Sequence, residues 1–200
     1  MSELEKPRLI LASASPRRLS LLAQIGIQPD QVLPADINED PIPGELPRQH
    51  ALRLATEKAV AISGLHPGQI VLGSDTVVGV GRRILPKTEK RAEAEYCLKL
   101  MSGRAHRVFT GVAVVDMDGN VRTRVSETRV KFKRLSEQEL TSYLDSKEWQ
   151  GKAGGYGIQG PASAFIPWIS GSFHAVMGLP LPETAALLTA AGIPIFGGNR

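Results

Sequence analysis

The most constraining feature of the sequence is a short apolar run followed at once by serine, proline and arginine, over residues 9–18. The apolar part, residues 9–12, predicts a short buried strand. Ser15 is a favourable helix N-cap, and Pro16 suits the first helical position, where its missing N–H has no cost. A tight turn is therefore expected to join this strand to a helix over about residues 16–25.

Arg17 and Arg18 fall in the first turn of that helix. Cations at a helix N-terminus oppose the helix dipole, at a cost of about 0.3–1 kcal/mol each. A bound anion would remove this conflict, because backbone N–H groups, serine hydroxyls and guanidinium groups would all point at it. The segment suits a phosphate site about as well as it suits a solvated arginine pair after an ordinary turn.

The rest of the chain alternates between strand-like and helix-like patterns. The predicted elements are strands at 32–35 and 69–80, a helix at 48–62, an extended piece at 84–85, a helix from 88 to about 101, a hairpin of strands 107–115 and 121–131, and helices from 136 to about 145 and over 181–191. Thr88 is expected to cap its helix, and Ser136 forms a capping box with Glu139. This order predicts an α/β (α+β mixed) fold with a mixed sheet flanked by helices.

Asp75 is the strongest catalytic candidate. It lies between Ser74 and Thr76, in a polar insert that is expected to interrupt the strand at 69–80. A carboxylate between apolar runs is costly to bury unless it is paired, hydrogen-bonded or bound to a metal. Asp75 would then orient a water molecule or hold a divalent ion, and a structural aspartate that accepts backbone hydrogen bonds is the alternative.

Other charged residues would complete such a site. Glu39 and Asp40 lie in an acidic, proline-rich loop over residues 36–47, and Glu39 suits a metal site about as well as it suits a solvated loop face. Lys58 and Lys87 can neutralise phosphate charge as point cations, although most lysines are ordinary surface residues.

The segment 151–160 contains five glycines, which let a backbone approach a ligand closely. Gln159 in this segment carries a donor and an acceptor on one amide, so it can read the edge of a base. A structural turn is the alternative. The acidic loop and this glycine-rich segment are expected to line a cleft.

Composition limits the classes of function. The net charge of +4 and the pI near 9.4 suit an anionic substrate, while the absence of a basic run gives little support for nucleic-acid binding. The single cysteine, Cys97, excludes an intramolecular disulfide and favours a reducing compartment. No apolar run reaches the roughly 18 residues of a membrane helix, so a cytoplasmic protein without a membrane partner is expected.

Taken together, the motifs resemble those of the Maf family of nucleoside triphosphate pyrophosphatases. The matching segments are residues 13–18, 36–39, 53–58, 73–78, 154–160 and 171–181. Two segments depart from the family pattern. Pro86-Lys87-Thr88 stands where the family usually has Gly-Lys-Pro, and residues 174–178 differ from its last motif.

The resemblance implies hydrolysis of a nucleoside triphosphate between its α- and β-phosphates, giving a monophosphate and pyrophosphate with Mg²⁺ or Mn²⁺. It implies phosphate binding by Ser13, Arg17, Arg18, Lys58 and Lys87, substrate choice by Arg17, Thr76 and Gln159, a metal site at Glu39 and Asp75, and Asp75 as the catalytic base. Gln159 is similar to the subfamily that prefers dTTP and UTP, with modified pyrimidine nucleotides as a further substrate class. The implied fold is one elongated domain over residues 1–200, with two lobes around a cleft like that of the inosine triphosphate pyrophosphatases, and often dimeric.

Two other functions fit the same sequence. A nucleotide-sensing regulator of cell division, in which hydrolysis is slow or incidental, would use the same pocket. A nucleic-acid-binding module is suggested only by the high pI.

Overall fold

The computed structural model describes residues 8–195, which form a mixed α/β fold. The strands are β1 Leu9–Ala12, β2 Gln31–Val32, β3 Ile70–Val80, β4 Arg83–Leu85, β5 Lys87–Thr88, β6 Ala105–Val115, β7 Val121–Lys131, β8 Lys152–Ala153 and β9 Trp168–Ser170. The helices are α1 Pro16–Gln24, α2 Pro47–Leu65, α3 Arg91–Met101, α4 Glu137–Asp145, α5 Phe173–Met177 and α6 Leu181–Ala190, with a 3-10 helix at Pro161–Phe165. The predicted α/β class with helices around a mixed sheet is confirmed.

Seven of the strands form one sheet with the order β2-β1-β3-β6-β7-β9, and β4 pairs with β3 beside this path. Strand β1 runs parallel to β2 and β3, whereas β6, β7 and β9 follow as an antiparallel series. Strands β5 and β8 form a separate two-stranded sheet.

Strand β3 is the centre of the sheet because its two edges have different neighbours. One edge pairs with β6 from Val71 to Gly79. The other edge pairs with β1 over residues 70–73 and with β4 over residues 78–80. Within the described chain, no strand covers this second edge at residues 74–77, so the sheet opens there and Asp75 lies at the opening.

The prediction that a polar insert interrupts this strand was wrong. Ser74 and Asp75 continue β3 without a break, and Asp75 lies opposite Gly111 of β6. Backbone pairing with a neighbouring strand does not depend on side-chain polarity, and each polar side chain here has found a partner, so the strand persists.

Two smaller predictions were also wrong. The strand predicted at 32–35 is confined to Gln31–Val32. Thr88 belongs to β5 instead of capping a helix, and its hydroxyl donates to the carbonyl of Trp149 at 2.8 Å. Helix α3 begins later, at Arg91, where the Glu93 carboxylate accepts from the backbone N–H of Lys90 at 3.2 Å.

Helix α2 packs unusually close to the sheet because the residues between them are small. A Cβ atom added at Gly73 would lie 2.3 Å from the carbonyl oxygen of Ala55, and one added at Gly111 would lie 2.3 Å from that of Ala51. Real Cβ atoms do not approach that closely, so glycine is required at both positions. This close approach brings the next turn of α2, with Lys58, over the middle of β3.

Apolar side chains fill both faces of the sheet. On the α2 face, Ile10 and Val71 pack with Ala55 and Ala59. On the opposite face, Leu11 and the neighbouring strands pack against α1 and α6. A further core joins the far half of β3 to α3 and α4, and Cys97 is fully buried in it. None of the helices in residues 8–195 combines the length and the apolar character of a membrane-spanning segment.

Candidate active site

The turn after β1 is tied to the segment that precedes α6. Arg18 donates from Nη1 to the hydroxyl of Ser13 at 2.8 Å and from Nε to the carbonyl of Gly178 at 2.9 Å. Arg17 donates from Nε to the carbonyl of Met177 at 3.3 Å. Both arginines are therefore held at the start of α1 by groups from the other end of the chain.

The two arginines leave a local excess of positive charge. Burial lowers the pKa of Arg18, the nearby charge of Asp75 raises it, and Arg17 lowers it again. Burial also lowers the pKa of Arg17. In the part of the chain that the structure describes, neither guanidinium forms an ion pair with a carboxylate. An anion in the cleft would supply the missing negative charge.

Four charged side chains alternate in sign beside the opening of β3, and we call them the Asp75 cluster: Asp75, Lys58, Glu39 and Lys87. The Lys58 Nζ lies 2.6 Å from Asp75 Oδ1 and 2.5 Å from Glu39 Oε1. The Lys87 Nζ contacts the other oxygen of Glu39 and lies 3.8 Å from Asp75 Oδ1. Each carboxylate therefore faces both ammonium groups.

Burial and the neighbouring lysines shift the pKa of the Glu39 carboxylate in this cluster in opposite directions. Burial alone raises the pKa of Glu39, but hydrogen bonds and charge from Lys58 and Lys87 lower it to about 2. Asp75 is only 1% exposed, so its contact with Lys58 is what makes a carboxylate tolerable inside the sheet. Glu39 is consequently an anion at neutral pH.

Hydroxyl groups of β3 fix the segment around Gly178. The Ser74 hydroxyl lies 2.8 Å from the carbonyl oxygen of Gly111 and 3.1 Å from that of Gly178. Thr76 lies 3.1 Å, oxygen to oxygen, from Thr110, whose hydroxyl is 2.7 Å from the carbonyl of Ala175. The same carbonyl of Gly178 that accepts from Arg18 is thus placed against the central strand.

Almost all the predicted site residues meet in one cleft, a cavity of about 370 Å³. The predicted residues that line it are Ser13, Arg17, Arg18, Glu39, Lys58, Thr76, Lys87 and Gln159. Asp75 is the exception, because it lines a neighbouring cavity of about 310 Å³ that shares Glu39, Thr76 and Lys87 with the cleft. The two cavities therefore meet at the Asp75 cluster.

Two polar residues of the cleft, Lys152 and Tyr156, were not predicted from the sequence. Both lie in the glycine-rich segment, which was the only signal for them.

His106 does not line the cleft. It is buried, with Nε2 2.7 Å from the Tyr156 hydroxyl, and burial lowers its pKa to about 4, so it is neutral at pH 7.

A metal ion would have few protein ligands here. Within residues 8–195 no group of three or more His, Cys, Asp and Glu side chains is placed to hold an ion. Glu39 and Asp75 supply two carboxylates, and both contact Lys58. Mg²⁺ commonly uses one or two carboxylates and takes its other ligands from water and substrate phosphates. The residues present fit a metal that binds together with a phosphorylated substrate.

Comparisons with known proteins show the family to which the chain is similar. A family model described as Maf-like protein matches residues 8–191. Proteins named dTTP/UTP pyrophosphatase from Caulobacter vibrioides and Maricaulis maris are 59% and 60% identical to this chain. The alignments cover 93% of this chain and 96% of the Caulobacter protein, and 96% of this chain and 92% of the Maricaulis protein.

A solved structure supports the fold independently. The HAM1 protein from Coxiella burnetii superposes with a TM-score of 0.50 at 15% identity. The match covers 92% of this chain and 100% of that protein. At this identity the similarity concerns the arrangement of the backbone.

Proposed function

Since the chain belongs to the Maf family, we propose that it hydrolyses nucleoside triphosphates, with dTTP and UTP preferred, to the monophosphate and pyrophosphate. The observation that carries this proposal is the pair of arginines, which form no ion pair with a carboxylate of residues 8–195. They line the same cleft as Lys58, Glu39 and Lys87 of the Asp75 cluster. The names of the relatives at 59% and 60% identity support the reaction and the choice of nucleotide. We also propose that residues 8–195 form one domain built around this cleft; the remaining positions of the domain predicted over residues 1–200 lie outside the described residues.

The start of α1 would bind the phosphates. Ser13 and the guanidinium groups of Arg17 and Arg18 offer donors at the N-terminus of α1, where the helix dipole favours an anion. Guanidinium groups suit this task because their fork of donors matches two phosphate oxygens at once. Lys58 and Lys87 would add positive charge on the side of the Asp75 cluster.

Asp75 would act as the base for an attacking water molecule. Its Oδ1 is held by Lys58, and Oδ2 would accept the proton that the water loses. The water oxygen forms a bond to phosphorus as the α–β anhydride bond breaks, and pyrophosphate leaves. A divalent cation such as Mg²⁺ or Mn²⁺, held by Glu39 and Asp75, would offset phosphate charge. Lys58 and Lys87 keep the base and Glu39 oriented.

The glycine-rich segment would read the base. Gln159 lines the cleft and presents a donor and an acceptor. Thr76 and Arg17 line the same cleft, and Thr76 is fixed through Thr110.

A panel of nucleoside triphosphates tests the proposal. The protein is incubated with each nucleotide and Mg²⁺ or Mn²⁺, and pyrophosphate is separated from orthophosphate. We expect pyrophosphate mainly from dTTP and UTP, and loss of most of it in Asp75→Asn but not in Lys99→Met, a matched surface control. Orthophosphate as the product would overturn the reaction, and intact nucleotide after long incubation would favour the nucleotide sensor.

A further inference from the structure

The side chains of Lys152 and Gln159 lie next to Gly157 in the wall of the cleft. A Cβ atom added at Gly157 would lie 3.1 Å from Lys152 Cε, 3.1 Å from Gln159 Nε2 and 3.2 Å from Gln159 Oε1. Both residues also line the cleft. The absence of a side chain at Gly157 therefore leaves room for the end of the Lys152 side chain and the Gln159 amide on the same side of this residue.

Contacts with Glu148 hold the Lys152 side chain in place but do not occupy all its hydrogen-bond donors. It is only 14% exposed, its Nζ donates to the carbonyl of Glu148, and it lies 3.6 Å from the carboxylate of the same residue. Its backbone pairs with Thr88 in the small sheet. An ammonium group has three N–H donors and no acceptor, so contact with Glu148 leaves it able to donate to a ligand.

The Gln159 amide alone cannot distinguish uracil or thymine from cytosine. Thymine presents an oxygen acceptor at position 4, whereas cytosine presents an amino donor there. A glutamine amide rotated by 180° exchanges its donor and its acceptor, so Gln159 can match either base. A neighbouring group that only donates removes this ambiguity, because it stabilises a base oxygen and opposes an amino group.

We propose that Lys152 is a specificity-determining residue that selects pyrimidines with an oxygen at position 4, uracil and thymine, over cytosine. This inference rests on the proposed function and deepens it. Lys152 donates to the O4 acceptor while the Gln159 amide pairs with the adjacent edge of the base. Cytosine in the same position places its amino group against the ammonium and offers no acceptor at position 4 to the N–H groups of Lys152 that Glu148 does not engage.

Three variants test this role. Lys152→Met removes the donor at similar length, Lys152→Arg restores a cation, and Lys99→Met removes an exposed lysine at 52% side-chain exposure as the control. The readouts are kcat/KM for UTP and dTTP, and for CTP either as a substrate or as a competitive inhibitor. Binding of the α,β-methylene analogues of UTP and CTP measures the same discrimination without turnover.

We expect Lys152→Met to weaken the interaction with UTP and dTTP by about 10–100-fold, the range for a hydrogen bond to a charged group. CTP should be unaffected or improve, so the UTP/CTP ratio falls at least about 10-fold, and Lys152→Arg recovers part of it. An equal loss for UTP and CTP, typical of a phosphate contact or a structural defect, overturns the inference, as does an unchanged ratio. The proposed function is tested separately: it is contradicted if wild-type protein binds the analogues but releases no pyrophosphate from UTP or dTTP.

Discussion

The ammonium group of Lys58 lies 2.6 Å from the carboxylate of Asp75, and both side chains are almost completely buried. They are contributed by different elements, α2 and β3, so the contact joins the helix to the opening in the sheet. A buried ion pair is a weak source of net stability, but removing one partner leaves an uncompensated charge inside the protein. Lys58 is therefore expected to matter for stability as well as for activity.

Lys58→Met should lower the free energy of unfolding by about 3–5 kcal/mol, because Asp75 loses its closest cation. Equilibrium unfolding in urea measures this change. Lys99→Met removes a lysine that pairs with Glu95 on the surface of α3, and it should leave the urea midpoint almost unchanged. Equal effects of the two substitutions would show that burial of the Lys58 pair is energetically unimportant.

Asp75→Asn should lower turnover at least ~100-fold, because an amide cannot take a proton from water. The fold should survive, since an amide oxygen still accepts from Lys58 and Lys58 keeps its contact with Glu39 at 2.5 Å. Pyrophosphate release and the thermal midpoint, measured on the same sample, separate the two effects. Near-normal turnover would contradict the role of Asp75 as the base.

Gly111→Ala should destabilise the protein by about 1–3 kcal/mol, as overpacking of a tight interface does. The new methyl group would lie 2.3 Å from the Ala51 carbonyl and push α2 away from the sheet. Gly64→Ala is the matched control, because a Cβ there meets nothing within 4 Å. As a helical glycine, Gly64 should yield a gain of about 0.5–1 kcal/mol, and a loss at both sites would argue against the close approach of α2.

The acidic loop should make the protein sensitive to acid through Glu45. Hydrogen bonds from Arg53 lower the pKa of Glu45 most, burial raises it, and contacts with Ile42 and His50 lower it further, to about 2. A carboxyl whose pKa is depressed on folding stabilises the protein fully above its ordinary pKa of 4.5 and loses this contribution as the pH falls to about 2.

Glu45→Gln should therefore be less stable than the wild type at neutral pH, and the difference should shrink as the pH falls from 4.5 towards 2. Urea midpoints at several pH values measure it. Glu57→Gln also removes an Arg53 partner, but from a carboxylate that is 43% exposed, and its effect at neutral pH should be smaller. A constant difference between wild type and Glu45→Gln across this range would be the contrary result.

Elements whose signals are local could be predicted from the sequence. Strand β1 and the start of α1 follow from an apolar run, an N-cap serine and a proline. The capping box at Ser136 is present, with its hydroxyl accepting from the Glu139 N–H at 3.2 Å. Both features depend on residues within a few positions of each other, so no tertiary information is needed.

What the sequence did not predict depends on contacts between distant segments. Ser74 and Asp75 were interpreted as a break in a strand, because the pairing with β6 that keeps β3 continuous is not visible locally. The sequence gives no sign that glycine is required at position 111, because the requirement comes from the contact of this strand with α2. Lys152 was not predicted because only the fold shows that it lies with Gln159 beside Gly157. The roles of the predicted site residues remain predictions.

The hydrogen bonds of Arg17 and Arg18 to Met177 and Gly178 span 160 positions of the chain. Synthesis on the ribosome proceeds from the N-terminus, and the residues of a domain can complete only those contacts whose partners have already emerged. A nascent chain would therefore display the first strand and helix long before their arginines are oriented. The cleft becomes competent only near the end of translation, and a chain cut short before residue 177 would retain the strands of the sheet without a finished binding site.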